Sequence, residues 1–169
     1  MASLPVVELG VVLALVGVSA FFSSSETAIF SLDTDWLATE SAGGDERAAR
    51  LDDLRDDPHR LLVTLLVGNN VVNIAITSII AVVTTRFLSA GLGVAVTTIA
   101  ASALILVFGE IVPKSYGLGH AEEWSLTVAG PLRVVELVLL PLVVVFDRGT
   151  RWLSRLIGGD EDIEEPYVD

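Results

Sequence analysis

The sequence predicts an all-α membrane protein: three transmembrane helices per chain, with juxtamembrane belt helices on the cytoplasmic side. Two observations carry that prediction. First, 52% of the 169 residues are hydrophobic and the mean hydropathy is +0.67, more apolar sequence than a soluble domain of this size can bury. Second, the charges are segregated: three long stretches hold almost none, and the segments between and after them are dense in Asp, Glu and Arg. The balance of 22 acidic against 10 basic side chains, net −12, excludes nucleic acid as a partner, because phosphates need a basic patch. With no cysteine, disulfides, thiolate metal sites and thiol chemistry are impossible. One lysine, Lys114, beside nine arginines, and a pI near 4.4, fit a carboxylate-rich surface in a cell with a salty interior.

The elements follow in order. The N-terminus lacks the basic residues of a signal peptide, so the apolar run 6–30 reads as a retained first span. A span needs about 20 residues, and 58–88 and 92–115 supply the second and third. The second starts sharply, since Asp57 can cap the orphan amides and Pro58 suits the first helical turn. Gly91 and Gly93 mark the turn into the third. Between the first two spans, residues 33–57 read as two short helices broken at Gly43-Gly44. Arg47, Arg50, Arg55 and Arg60 lie in or beside that loop, and Lys114, Arg133, Arg148, Arg151 and Arg155 follow the third span. The positive-inside bias therefore predicts an external N-terminus and a cytoplasmic C-terminus, in a multi-pass protein of the cell membrane. Segment 131–146 gives roughly 24 Å of helix, contains Glu136 and is interrupted by Pro141, so a shallow or re-entrant helix is expected there. After it, Arg148, Arg151 and Arg155 share one helical face and Trp152, Leu153, Leu156 and Ile157 the other, as in a helix lying in the interface. The chain thus divides into a transmembrane region 1–118, a belt 119–157 and an acidic linker 158–169.

Polar residues inside the spans carry the functional signal. Ser19, Ser23 and Glu26 recur at i, i+4 and i+7 on one helix face. Ser24, Ser25 and Thr27 read instead as hydroxyls bonded back to their own helix. Asn69, Asn70 and Asn73 put three amides at mid-helix, expensive in lipid unless they face protein, water or an ion. Interhelical hydrogen bonding is the alternative to ion binding for these amides. Pro113 has no N–H for the carbonyl four residues back, that of Gly109, which leaves a free oxygen beside Glu110. Such broken backbone survives at membrane depth only when it is buried in protein or lines a cavity. Ser19, Ser23, Asn70, Asn73, Gly109 and Glu110 are all hard oxygen donors, which selects Mg2+, Ca2+ or Na+ over zinc or copper. His59 and His120 flank the spans as solvated residues, and no motif suggests an enzyme.

At three stretches, Ser19 to Ala28, Leu65 to Asn73 and Phe108 to Lys114, the chain resembles the CorC/CNNM (cyclin M) family of magnesium transport proteins in order and spacing. The resemblance implies a homodimer, each protomer with three transmembrane helices and a juxtamembrane belt. It also implies a cytoplasm-facing Mg2+ cavity formed by Ser19, Ser23, Asn70 or Asn73, Gly109 and Glu110; alternating access is the expected mode of transport. In full-length relatives a cytoplasmic pair of CBS modules that binds ATP follows the belt. The expectation is Mg2+ efflux, with Na+ as a candidate coupling ion. A membrane-anchored regulatory scaffold and a passive cation channel are the rival readings.

Overall fold

The computed structural model describes residues 6–157, all of them helical or in short turns between helices. The helices are α1 (Val6–Phe30), α2 (Thr34–Ala42), α3 (Glu46–Arg55), α4 (Pro58–Phe87), α5 (Ala90–Leu104), a π-helical segment (Ile105–Ile111), α6 (Val112–Gly119) and α7 (Ala121–Ile157). The expected acidic linker 158–169 lies outside the described residues.

Local chemistry sets the boundaries. Asp33 and Asp45 cap α2 and α3 by accepting from the backbone N–H of Trp36 and Arg47, at 2.9 and 2.8 Å. Gly44, with φ +91°, makes the break between these helices at a conformation that L side chains rarely adopt. Asp57 accepts from the Arg60 N–H at 3.0 Å, and Pro58 occupies the first turn of α4.

Contacts along α1 organise the bundle. Glu8 meets Arg86 at one end, Val12 and Val16 pack with Ile76, Ser19 meets Asn69 and Asn73, and the Phe22 ring lies against Gly68, so α4 runs antiparallel to α1. Thr84 and Thr97 hydroxyls, 2.6 Å apart, join α4 to α5 across the turn. The third long helix, Ala90–Gly119, is made of α5, the π segment and α6 and runs parallel to α1: Gly109 abuts Ser19, Lys114 pairs with Glu26, and Gly117 abuts Ser24. A side chain at position 117 would collide with the Ser24 carbonyl, so this helix pair closes only on glycine. The main apolar core gathers Phe22 and Ile29 of α1 and Leu32 of the turn after it with Leu51 and Leu54 of α3, Leu61 and Leu65 of α4, and Val128 and Leu132 of α7. Outward-facing Leu9, Leu13, Ile74, Val94 and Ile99 are exposed, as lipid contact requires.

Four helices are long and apolar enough to cross a membrane, one more than the three spans expected: Val6–Phe30, Pro58–Phe87, Ala90–Gly119 and Ala121–Phe146, the last of which lies in the expected belt. One expectation is corrected: the break at Pro141 does not occur, because α7 continues through both Pro131 and Pro141. A proline costs one hydrogen bond and bends the axis, but packing against α1, α3 and α4 keeps the flanking turns helical. Glu136, read as an obstacle to crossing, is buried between two guanidinium groups, with Arg60 Nε at 2.8 Å and Arg133 Nη1 at 2.7 Å. The contacts of α7 with α4 gather near the start of α4: Glu136 on Arg60, Leu139 on Gly68, and Leu140, Val143 and Val144 around a cavity of about 230 Å³ shared with Asp57, His59, Arg60 and Val63. Of the two faces expected after residue 147, Arg148 and Trp152 are exposed, and the side chains of Arg151, Leu153, Arg155, Leu156 and Ile157 lie outside the described residues.

Candidate cation site

Polar residues of α1, α4 and the third long helix converge where α1, α4 and the π segment meet. Ser19 is fully buried, and its hydroxyl lies 2.9 Å from Asn69 Oδ1 and 2.8 Å from Asn73 Oδ1. Asn73 Nδ2 donates to Glu110 Oε1 at 3.4 Å, a long bond that ties α4 to the third helix. From the far side Gly109 presses on Ser19: a Cβ there would stand 2.8 Å from the Ser19 hydroxyl. Glycine at 109 is therefore a steric requirement of the cluster, independent of its carbonyl.

The backbone at this point leaves its α register. In the π segment the bonds run five residues back, and the last of them joins the Val112 N–H to the Val107 carbonyl. Position 113 would supply the next donor, to Phe108 in π register or to Gly109 in α register. It is a proline, so both registers lose the same bond. The sequence identified the missing donor; the π turn adds the Phe108 carbonyl to the acceptors it would have served.

One turn along α1 from Ser19, Ser23 is fully buried and its hydroxyl has no hydrogen-bond partner among the described residues. A helical serine ordinarily satisfies itself on a carbonyl three or four residues back, as Ser24 does on Ala20 and Ser25 on Phe21, at 2.7 and 2.6 Å. An orphaned buried hydroxyl costs about 1–3 kcal/mol, an energy a bound ion or water would recover. Ser24 also accepts from Trp124 Nε1 at 3.0 Å, which fastens α7 to α1 beside the cluster.

Of the residues singled out from sequence, Ser19, Asn73, Gly109 and Glu110 come together, and Ser23 stands one turn away on the same face of α1. Asn70 does not join them. It is exposed, bonds back to the Leu66 carbonyl at 2.9 Å and lines a shallow groove of about 270 Å³ with Asn73, Ile74, Thr77 and Ser78. Asn69 takes that place beside Ser19. Its i, i+4 relation to Asn73 was the available signal, since that spacing stacks two amides more squarely than i, i+3.

The chemistry of the cluster is narrow. Ser19 has one hydroxyl hydrogen for two amide oxygens, so three oxygens converge with too few donors among them. Among the described residues no group of three or more His, Asp or Glu side chains is placed to hold a metal. What the cluster offers is hydroxyl and amide oxygen with few carboxylates, suited to hard cations.

Long apolar helices around a buried polar cluster define a multi-pass membrane domain. The chain belongs to the cyclin M family, matching its transmembrane N-terminal domain over residues 10–169. Among curated proteins it is similar to the UPF0053 inner membrane protein YfjD of Escherichia coli, 33% identical over 146 residues, 86% of this chain and 34% of that protein. A UPF0053 protein of Haemophilus influenzae is 33% identical over 169 residues, 99% of this chain and 40% of that protein. A chloroplastic DUF21 domain-containing protein of Arabidopsis thaliana is 35% identical over 162 residues, 95% of this chain and 24% of its own. The chain therefore spans well under half the length of these relatives.

Proposed function

We propose that this domain carries Mg2+ across the cell membrane, outward from the cytoplasm, by alternating access, with Na+ as the candidate coupling ion. The observation that carries the reading is the meeting of Ser19, Asn69, Asn73 and Glu110 oxygens beside the orphaned Ser23 hydroxyl, at a helix turn whose backbone donor is removed by proline. In this reading Asn69 replaces Asn70 as a ligand, and the carbonyls preceding Pro113 complete the oxygen set. Few carboxylates against a dication leave the charge under-compensated, which favours release over storage.

The orientation in this proposal rests on the arginines of the first loop and the basic residues after the third long helix. The Glu8 end of α1 faces outside; α2, α3 and the start of α4 face the cytoplasm. The part of α7 that crosses the start of α4 acts as the cytoplasmic belt. The working unit is a homodimer, and a CBS pair that binds ATP follows α7 in the full-length protein. Catalysis has no part in this function.

A regulatory scaffold is the second reading, favoured by one feature: turning the Asn69 amide by half a rotation would let it donate to Ser19, so the cluster can satisfy itself as interhelical hydrogen bonds without an ion. The two readings part in a thermal titration of the chain in lipid nanodiscs. A site filled to 100 times its Kd stabilises the fold by about 2.7 kcal/mol, so the melting temperature should rise with Mg2+. Glu110→Ala and Ser23→Ala should each weaken the response and lower Mg2+ flux from loaded vesicles. A melting temperature indifferent to Mg2+ in all three proteins would favour the scaffold, and flux indifferent to an imposed Na+ gradient would favour a channel.

A further inference from the structure

The polar track on α1 does not stop at the cluster. Ser19 and Ser23 are fully buried, whereas the Glu26 side chain, seven residues and about 10 Å along the same face, is one-third exposed. The face therefore runs from fully buried oxygens to a part-exposed carboxylate, that of Glu26. Opposite it stands Lys114, the only lysine in the chain, one helical turn beyond Glu110.

The Lys114–Glu26 pair is loose. Its Nζ and Oε2 are 3.4 Å apart, beyond the roughly 2.7–2.9 Å of a charge-assisted hydrogen bond, and the lysine side chain is 44% exposed. By contrast, Glu136 lies 2.7–2.8 Å from its two arginines and is buried, as a structural staple should be. An exposed pair of this geometry adds little to stability. Its fixed positive charge, however, acts on any cation that approaches Glu26, Ser23 or Glu110.

We propose that Lys114 is a tethered counter-cation: it holds Glu26 when no ion is passing and must be displaced by an arriving divalent cation, so the pair sets the affinity at the part-exposed end of the track. The inference rests on the cation reading and assigns two residues outside the proposed ligand set. Glu26 attracts the ion; Lys114 competes with it.

The test titrates Mg2+ alone into the full chain in nanodiscs by calorimetry, with unfolding temperature in the absence of Mg2+ as a second measurement. Lys114→Gln should lower the half-saturating Mg2+ concentration by about three- to tenfold, an effect that shrinks as ionic strength rises. Lys114→Arg should behave as the parent, Glu26→Gln should raise the half-saturating concentration, and the double variant Glu26→Gln/Lys114→Gln should return towards the parent value. Half-saturation unchanged or raised in Lys114→Gln would overturn the proposal, including the case where only the ion-free unfolding temperature falls, as for a structural pair. If Glu110→Ala abolishes binding and Lys114→Gln leaves it unmoved, the cation site stands and the counter-cation fails. A parent protein that binds no Mg2+ removes both.

Discussion

The two halves of α1 face the same neighbours and do opposite things. Towards Glu8, Val12 and Val16 close on Ile76, with Leu15, Ile79, Leu104 and Ile105 packed around them, and the Glu8–Arg86 ion pair at 2.7 Å caps the layer. Towards Glu26, the same helix presents Ser19, Ser23 and Glu26 to the amides of α4 and to the broken turn before Pro113. An ion at Ser19 would face about 16 Å of dry packing on one side and a graded polar face on the other. In the proposed reading the polar half would serve binding and access, and the apolar half would be the seal. In a bundle whose flanks are lipid, closure must come from such dispersion-packed layers, since expelling apolar groups from water contributes nothing at those depths.

Removing the staple beside the polar half should have the largest effect on the comparison. Glu136→Ala leaves Arg60 and Arg133 facing each other without their carboxylate, and loss of a buried partner costs about 3–5 kcal/mol, less what the part-exposed arginines regain from water. Denaturant unfolding in detergent measures that loss. Replacement by Gln, which keeps the shape and part of the hydrogen bonding, should recover some of it.

In the apolar half, Ile76→Ala opens a cavity at a fully buried position and should cost about 2–5 kcal/mol. Because the protein has no cysteine, single cysteines report access cleanly. A cysteine at Val16 should resist a membrane-impermeant maleimide and become reactive when Ile76→Ala is added, while one at Glu26 should react in both backgrounds. Equal reactivity at the two positions would erase the distinction between the halves.

The smallest effect belongs to the loop under the polar half. Hydrogen bonds from the Arg47 side chain and backbone N–H hold the Asp45 carboxyl at about 2, below its ordinary 3.8. A carboxyl whose folded value is depressed stabilises the fold above its unfolded value and loses that contribution as pH falls towards the folded one. The start of α3 should therefore fray between about pH 4 and pH 2, and Asp45→Ala should show the same fraying at neutral pH. Hydrogen exchange of the first α3 amides should accelerate while those of α4 are unmoved.

Much of this was legible in the residues. The start of α4 at Asp57-Pro58, the break at Gly43-Gly44, the cluster of Ser19, Asn73, Gly109 and Glu110 and the back-bonded Ser24 and Ser25 all follow from local chemistry with few competitors. Three features did not, for separate reasons. Asn69 and Asn70 differ by about 100° around α4, and which one meets α1 depends on a helix phase fixed by tertiary packing such as Phe22 against Gly68 and Val12 and Val16 against Ile76. The run through Pro131 and Pro141 depends on neighbours that hold α7 together, which a proline rule cannot see. Pro113 announced a lost bond, but the five-residue register before it is a choice made by the whole turn.

In the proposed function the oxygens around Ser19 hold a small hard cation. The most direct measurement is a high-resolution structure grown in Mg2+, with a parallel crystal in Mn2+ for anomalous scattering. A bound ion should give an anomalous peak among Ser19, Asn69, Asn73 and Glu110, and in the Mg2+ crystal oxygen distances of about 2.0–2.1 Å. Anomalous maps empty at that position, with those side chains bonded only to one another at ordinary hydrogen-bond lengths, would contradict it.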